Sequence, residues 1–191
     1  VFRYAKKVIS SDEFDIYLDG KTTVHIKGLP AMDVDYNKVV KMKGLNHLKG
    51  LNITDLEILS GDEVLADGSN MVGNVFIPNP SVMTLDLGNV TMNLAIDGKP
   101  VGTALLPDLV LRPGDNNIHM QAYAEKLVVI GLVTSKYTNG VVPLDISGNS
   151  SVHSGQHLTY YEAAIQANTI RVDLNLAPAL ATLGLNVTSS E

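Results

Sequence analysis

Apolar and polar positions alternate along most of this chain with a period of two, the signature of strands that bury one face. Phe14, Ile16 and Leu18 form one apolar row, and Thr22, Val24 and Ile26 continue the alternation beyond Asp19-Gly20. An Asp-Gly pair between two alternating runs predicts a hairpin, because its turn needs residues that tolerate positive φ. The stretch NPSVMTLDLGNVTMNLAIDGKPVG, residues 79–102, repeats the plan. Met83, Leu85 and Leu87 make one row there, and Val90, Met92, Leu94 and Ile96 make another after Gly88-Asn89. Asp97-Gly98 then turns the chain toward Val101. A further turn is predicted at Pro113-Gly114-Asp115-Asn116. Each strand commits one face to a core and leaves the other for water or a partner.

Beyond residue 124 the pattern loosens. Residues 125–136 read equally well as a short helix or a buried strand. SGQHLTYYEAAIQAN, residues 154–168, predicts a helix with Ser154 as N-cap and Leu158, Tyr161, Ala164 and Ile165 on one face, followed by a strand in TIRVDLNL. The elements together predict a mainly β chain, an immunoglobulin- or fibronectin-like antiparallel β-sandwich with one or two short helices.

The two Asp-Gly-Lys segments read as an internal repeat. LDGKTTVHIKGLP (18–30) and IDGKPVGTALLP (96–107) share the alternating lead-in, the turn and a later Leu-Pro, with an offset of 77 to 78 residues. The first copy lacks the strands that should precede it. Residues 1–58 are therefore expected to be a partial or strand-sharing β domain, the end of a preceding repeat, and residues 59–191 a sandwich with a C-terminal helix and strand. The unpaired edges of the partial copy await a strand from another domain or chain.

Composition narrows the chemistry. Hydrophobic residues at 45% and charged ones at 18% supply a sizeable core. The net charge of -6 and the scarcity of aromatic residues, with no Trp, argue against a nucleic-acid binder. The charge is uneven: residues 1–50 hold nine Lys or Arg against six Asp or Glu, and the remainder five against fourteen. Lys38, Lys41, Lys43 and Lys49 read as a solvated strand face. With no Cys, disulfides, thiolate nucleophiles and Cys-ligated metals are excluded.

Four Asn-x-Ser/Thr sequons, at Asn52, Asn89, Asn149 and Asn186, are glycosylation candidates and point to the secretory lumen or the cell exterior. The longest apolar run, Leu127 to Val133, is too short to span a bilayer. No signal peptide is read at the start, where Arg3, Lys6 and Lys7 interrupt the first residues. A processed start or an excised piece is expected, with any membrane anchor in a segment outside this chain.

Candidate chemistry is sparse. His153 and His157 lie four apart and would share a helical face, yet no third acidic ligand accompanies them, so surface histidines are expected rather than zinc. Asp33-Val34-Asp35-Tyr36-Asn37 imitates the opening of a calcium loop but carries Lys38 at the sixth position and Gly44 at the twelfth, and reads as an exposed strand. No nucleophile elbow, Walker loop, dinucleotide fingerprint or zincin motif is present. No catalytic, cofactor-binding or metal residue is assigned, and no enzyme is expected.

Four short motifs carry a family resemblance: Gly44-Leu45-Asn46-His47-Leu48-Lys49-Gly50, Asn79-Pro80-Ser81, Leu87-Gly88-Asn89-Val90 and Pro113-Gly114-Asp115-Asn116. In this order the chain resembles late embryogenesis abundant proteins of the second group over residues 14–175. It is most similar to a fungal family of tandem domains behind an N-terminal membrane segment. The resemblance implies a sandwich facing a vacuolar lumen or the exterior, and it brings no catalytic residues. The functional expectation is a noncatalytic structural or protein-interaction module that associates with a protein partner or with itself. The alternative is a lipid or small apolar ligand binder whose aliphatic rows enclose a cavity.

Overall fold

A computed structural model describes residues 2–185. The described chain runs from helix α1 (Phe2–Ser10) to β1 (Glu13–Val24) and β2 (Met32–Lys43), which among the described residues pair only with each other. There follow β3 (Asn52–Ile58), β4 (Met71–Asn79), β5 (Leu85–Ile96), β6 (Lys99–Leu111) and β7 (Gly114–Ala124). Helix α2 (Lys126–Ser135), β8 (Val141–His153), the two-residue β9 (Gln156–His157), α3 (Thr159–Gln166), β10 (Thr169–Asn175) and α4 (Ala177–Thr182) complete the described chain. The protein is mainly β, with antiparallel strands in two sheets that do not close into a barrel, and a few short helices.

The larger sheet runs β10-β8-β5-β6-β7-β4-β3, with β9 added to β8. It is one hydrogen-bonded sheet that makes two layers. β6 and β7 pair only where Gly102 to Leu105 meets Ala124 to Gln121. Beyond that seam β6 stays with β5 and β7 stays with β4, so the sheet folds over and the inner faces meet. Met71, Val75 and Ile77 of one layer thereby share a core with Met92, Leu94 and Ile96 of the other. Gly102 permits the seam, because a Cβ there would overlap the Tyr123 carbonyl.

The bulge at Gly88 explains the two rows in 83–96. Leu85 and Leu87 point inward at odd positions, whereas Val90, Met92, Leu94 and Ile96 point inward at even ones. An extra residue switches the parity, and the register shifts on both sides of Gly88. At Asp97-Gly98 both residues have positive φ, 52° and 74°, the two-residue hairpin turn expected from the sequence.

Asp19-Gly20 does not turn. β1 runs straight through it, with Asp19 opposite Asn37 and Gly20 opposite Tyr36. The reversal comes at residues 26–29, where the Leu29 amide donates to the Ile26 carbonyl (3.0 Å) and Gly28 has φ 88°. Glycine at that third turn position is the requirement of a type II turn. Gly20 has another duty: the Tyr36 ring lies where its Cβ would be. The two Asp-Gly-Lys segments thus differ in structure, one mid-strand and one a turn, and the Leu-Pro at 29–30 sits in a loop while that at 106–107 lies within β6.

Residues 125–136 resolve as helix α2. Ser154 is no N-cap: Ser154-Gly155 forms the tight turn between β8 and β9, and α3 starts at Thr159. Helices α1 and α4 were not anticipated. α1 buries Ala5, Val8 and Ile9 and packs on α3. The chain returning from β2 closes its C-terminal end: Leu45 N donates to Val8 O (2.7 Å) in the last turn and Asn46 N to Ser11 O (3.0 Å) just beyond it.

The seam and the turn make opposite predictions for glycine replacement. Gly102→Ala should destabilise the protein by about 3 kcal/mol or prevent folding, because backbone must move. Gly98→Ala meets open space and should cost only about 1 kcal/mol, from positive φ alone. Urea unfolding of both variants measures the difference.

Candidate functional site

The titratable side chains that come together do so as structural pins. At the β8-β9 hairpin, His157 Nδ1 lies 2.6 Å from Glu162 Oε1, and the Ser151 amide donates to the same oxygen (3.1 Å). An ionised carboxylate only accepts, so Nδ1 carries the proton. These bonds hold the Glu162 carboxyl below the ordinary carboxylate range, His157 contributing most. The Ser151 hydroxyl, fully buried, donates instead to the Leu87 carbonyl (2.7 Å). Ser, His and Glu are therefore adjacent without forming a nucleophile-base relay. His153 Nδ1 pairs with Asp86 at 3.3 Å. The two histidines sit on a strand pair rather than the predicted helical face. No group of three metal-binding side chains occurs among the described residues.

A second pair of pins joins the elements around β5. Asp97, in the β5-β6 turn, accepts from Lys136 Nζ (2.6 Å) and Tyr137 Oη (2.8 Å) beyond α2, which lowers its pKa. Arg171 of β10 grips Asp145 of β8 through Nε and one terminal nitrogen, both at 2.8 Å, and lowers its pKa too.

Three buried asparagines explain the polar motifs. Asn79 Oδ1 accepts from the Ser81 amide (3.0 Å) and hydroxyl (2.6 Å), while Nδ2 donates to Met83 O (2.8 Å) and Leu111 O (3.3 Å). Asn116 accepts from Arg112 N and donates to the carbonyls of Arg112, Gly114 and Ile77. Asn70 exchanges a pair of bonds with the backbone of Ala124 (2.9 and 3.0 Å). Each amide imitates a strand's backbone where the ladder ends, which satisfies groups that burial would otherwise leave unpaired. The Asn-Pro-Ser and Pro-Gly-Asp-Asn motifs are joints of the sandwich.

Between the layers lies a cavity of about 60 Å³ lined wholly by apolar side chains, among them Val75, Met92, Ala104, Met120 and Leu144. An engineered apolar cavity of roughly 150 Å³ takes benzene. The present one is smaller than that and far smaller than an acyl chain.

The surface least explained by folding is the β1-β2 ribbon. Twelve unbroken pairs, Glu13 with Lys43 through Val24 with Met32, place opposite residues on common faces. One face carries Glu13/Lys43, Asp15/Lys41, Asp19/Asn37, Lys21/Asp35 and Thr23/Asp33, interrupted by the exposed apolar pair Tyr17/Val39; Lys21 and Asp35 form an ion pair (3.4 Å), and Thr23 donates to Asp33 (2.7 Å). The other carries Phe14/Met42, Ile16/Val40, Leu18/Lys38, Gly20/Tyr36, Thr22/Val34 and Val24/Met32. Only its base is covered: Phe14 is buried, Ile16 and Met42 partly so. Leu18, Val24, Met32, Val34 and Tyr36 are exposed, as are Ile26 and Leu29 at the tip. The calcium-loop mimic is thus part of an exposed strand, and Lys41 and Lys43 lie on the solvated polar face, while Lys38 lies on the apolar one.

Of the sequon asparagines, Asn52, Asn89 and Asn149 are exposed. Asn89 Oδ1 accepts from the Asp108 amide (2.9 Å) and Asn149 donates to Asn93 (3.1 Å). Asn186 lies outside the described residues. No described helix is long and apolar enough to cross a membrane.

Residues 2–94 match a family model described as a protein of unknown function (DUF3712). Over that stretch, from α1 through the ribbon into β5, the chain is similar to the family. Neither a curated protein nor a solved structure matches the chain.

Because Asp145 and Glu162 are held below the ordinary carboxylate value near 4, they add stability that is complete above that value and is lost as pH falls through their depressed pKa values. The double variant Asp145→Asn/Glu162→Gln should be less stable than wild type at pH 7 and should lose less between pH 7 and pH 3. Urea unfolding across that range checks both. Asn79→Ala should cost about 2 kcal/mol by leaving buried partners unsatisfied, measured by the same method.

Proposed function

We propose that this chain is a noncatalytic structural and protein-interaction module whose working surface is the β1-β2 ribbon. The observation that carries the reading is the contrast between the ribbon and the body. A two-stranded ribbon is marginal in water without a third strand or a covering layer, and this one keeps twelve regular pairs with an apolar face mostly bare. The body's own edge strands are guarded. β3 is interrupted by a bulge with Asp55 at φ 51°, and the seven-residue β10 carries Arg171 and Asp173. The two strands of the ribbon have no bulge and no proline.

The side-chain clusters support the same reading, since the carboxylates of Asp97, Asp145 and Glu162 and the Ser151 hydroxyl are each bonded to a neighbouring side chain or backbone group. Exposure of three sequon asparagines agrees with a module that faces the secretory lumen or the exterior, as part of a vacuolar or cell-surface protein.

Replacing residues 19–37 by Asn-Gly would join Leu18 to Lys38 through a tight turn and remove the outer ribbon. The midpoint of thermal unfolding of the body should stay within a few degrees, because the removed part is exposed among the described residues. A photo-reactive amino acid in place of Val34 should crosslink to protein, and one in place of Asp62, on an exposed loop of the body, should not. Equal yields at the two positions would discard the ribbon as the binding surface.

A further inference from the structure

The charges of β2 are sorted along its length. Asp33 and Asp35 lie in the half toward the tip, and Lys38, Lys41 and Lys43 lie in the half toward the body. A strand with opposite charges at its two ends is complementary to itself, but only when the second copy runs antiparallel. Parallel alignment would set acid beside acid and lysine beside lysine.

We propose that two copies of this chain pair through the free edges of their β2 strands, antiparallel about a two-fold axis at Asn37, so that two ribbons become one four-stranded sheet. The inference rests on the ribbon being the interaction surface, and it names the occupant. In this register Asp33 lies opposite the partner's Lys41, Val34 opposite the partner's Val40, and Met32 opposite the partner's Met42. Tyr36 lies opposite the partner's Lys38, whose ammonium can rest on the ring. Asp35 is diagonal to the partner's Lys41, within reach of a long side chain. No like charges lie directly opposite each other, and within β2 the one like-charged diagonal is Lys38 with the partner's Lys38, beside the axis. Because positions whose numbers sum to 74 share parity, the apolar faces of both ribbons lie on the same side of the joined sheet.

Two other edge pairings fit less well. Joining β2 of one copy to β1 of the next in the register of the ribbon itself would set both bases at the same end, where two sandwiches would have to occupy the space of adjacent strands, about 5 Å apart. Pairing β1 with its own copy opposes Glu13, Asp15 and Asp19 with a single strand lysine, Lys21. The antiparallel β2 arrangement puts the two bodies at opposite ends and balances the charges.

The test is a charge exchange read by sedimentation velocity over a concentration series. Wild type should show a concentration-dependent dimer. Asp33→Lys/Asp35→Lys sets lysine against lysine, and Lys41→Glu/Lys43→Glu sets acid against acid, so each variant alone should dimerise about tenfold more weakly. An equimolar mixture should recover a heterodimer of near wild-type affinity, since each variant supplies the charge the other lacks. Damage within one ribbon cannot be rescued by mixing, which separates misfolding from lost pairing. A wild-type protein that stays monomeric throughout, or variants that dimerise as wild type does, would overturn the proposal. The crosslinker at Val34 distinguishes the two failures: crosslinks only to other proteins remove self-pairing and leave the interaction module, whereas no crosslink removes both.

Discussion

The fold depends on four residue pairs. Both layers of the sandwich belong to one sheet, and they remain one sheet only where Gly102 to Leu105 runs beside Gln121 to Ala124. On either side of that seam the strands part, so that inward-facing rows from β3, β4 and β7 meet those from β5, β6, β8 and β10. A folded sheet exposes backbone groups wherever its ladder stops. The side chains of Asn70, Asn79 and Asn116 replace the missing strand at those places, and a buried amide can do so because it carries donor and acceptor together.

Much of this architecture was legible in the residues, and the reason is parity. Inward rows at 85–87 and 90–96, a glycine between them and an Asp-Gly at 97–98 translate directly into a bulged strand and a tight hairpin, because each signal is local. The failures are also physical. Asp19-Gly20 carries the same turn chemistry as Asp97-Gly98, yet Gly28 offered a second site for reversal, and Tyr36 needed a partner without a side chain. Ser154 is an acceptable N-cap in isolation, but with Gly155 it was drawn into a β turn. Helix α1 shows Ala5, Val8 and Ile9 at helical spacing, a signal masked by the basic residues around it. The local bonds of Asn79 and Asn116 go with their turn motifs, but their links across the sheet were out of reach, since Leu111 and Ile77 lie more than thirty residues away in sequence.

The molecule divides its chemistry between a closed body and an open arm. In the body, acids and bases are spent on each other: Glu162 on His157, Asp145 on Arg171, Asp97 on Lys136 and Tyr137. Its sheet ends in a bulged strand at one edge and a short charged strand at the other. The arm inverts these choices, with long regular strands, a bare apolar face and charges sorted by position. The similarity to a family of unknown function covers the arm together with the first strands of the body, so the arm lies within the matched unit.

The void between the layers has a mechanical meaning. Its lining of aliphatic and thioether side chains offers water nothing to bond, while the unfolded chain would have no such empty space. Unfolding therefore shrinks the system, and hydrostatic compression tilts the equilibrium away from the folded form. Compression should be felt at the middle of the sandwich, around this void, and the arm, whose outer strands are exposed, should be nearly indifferent to it.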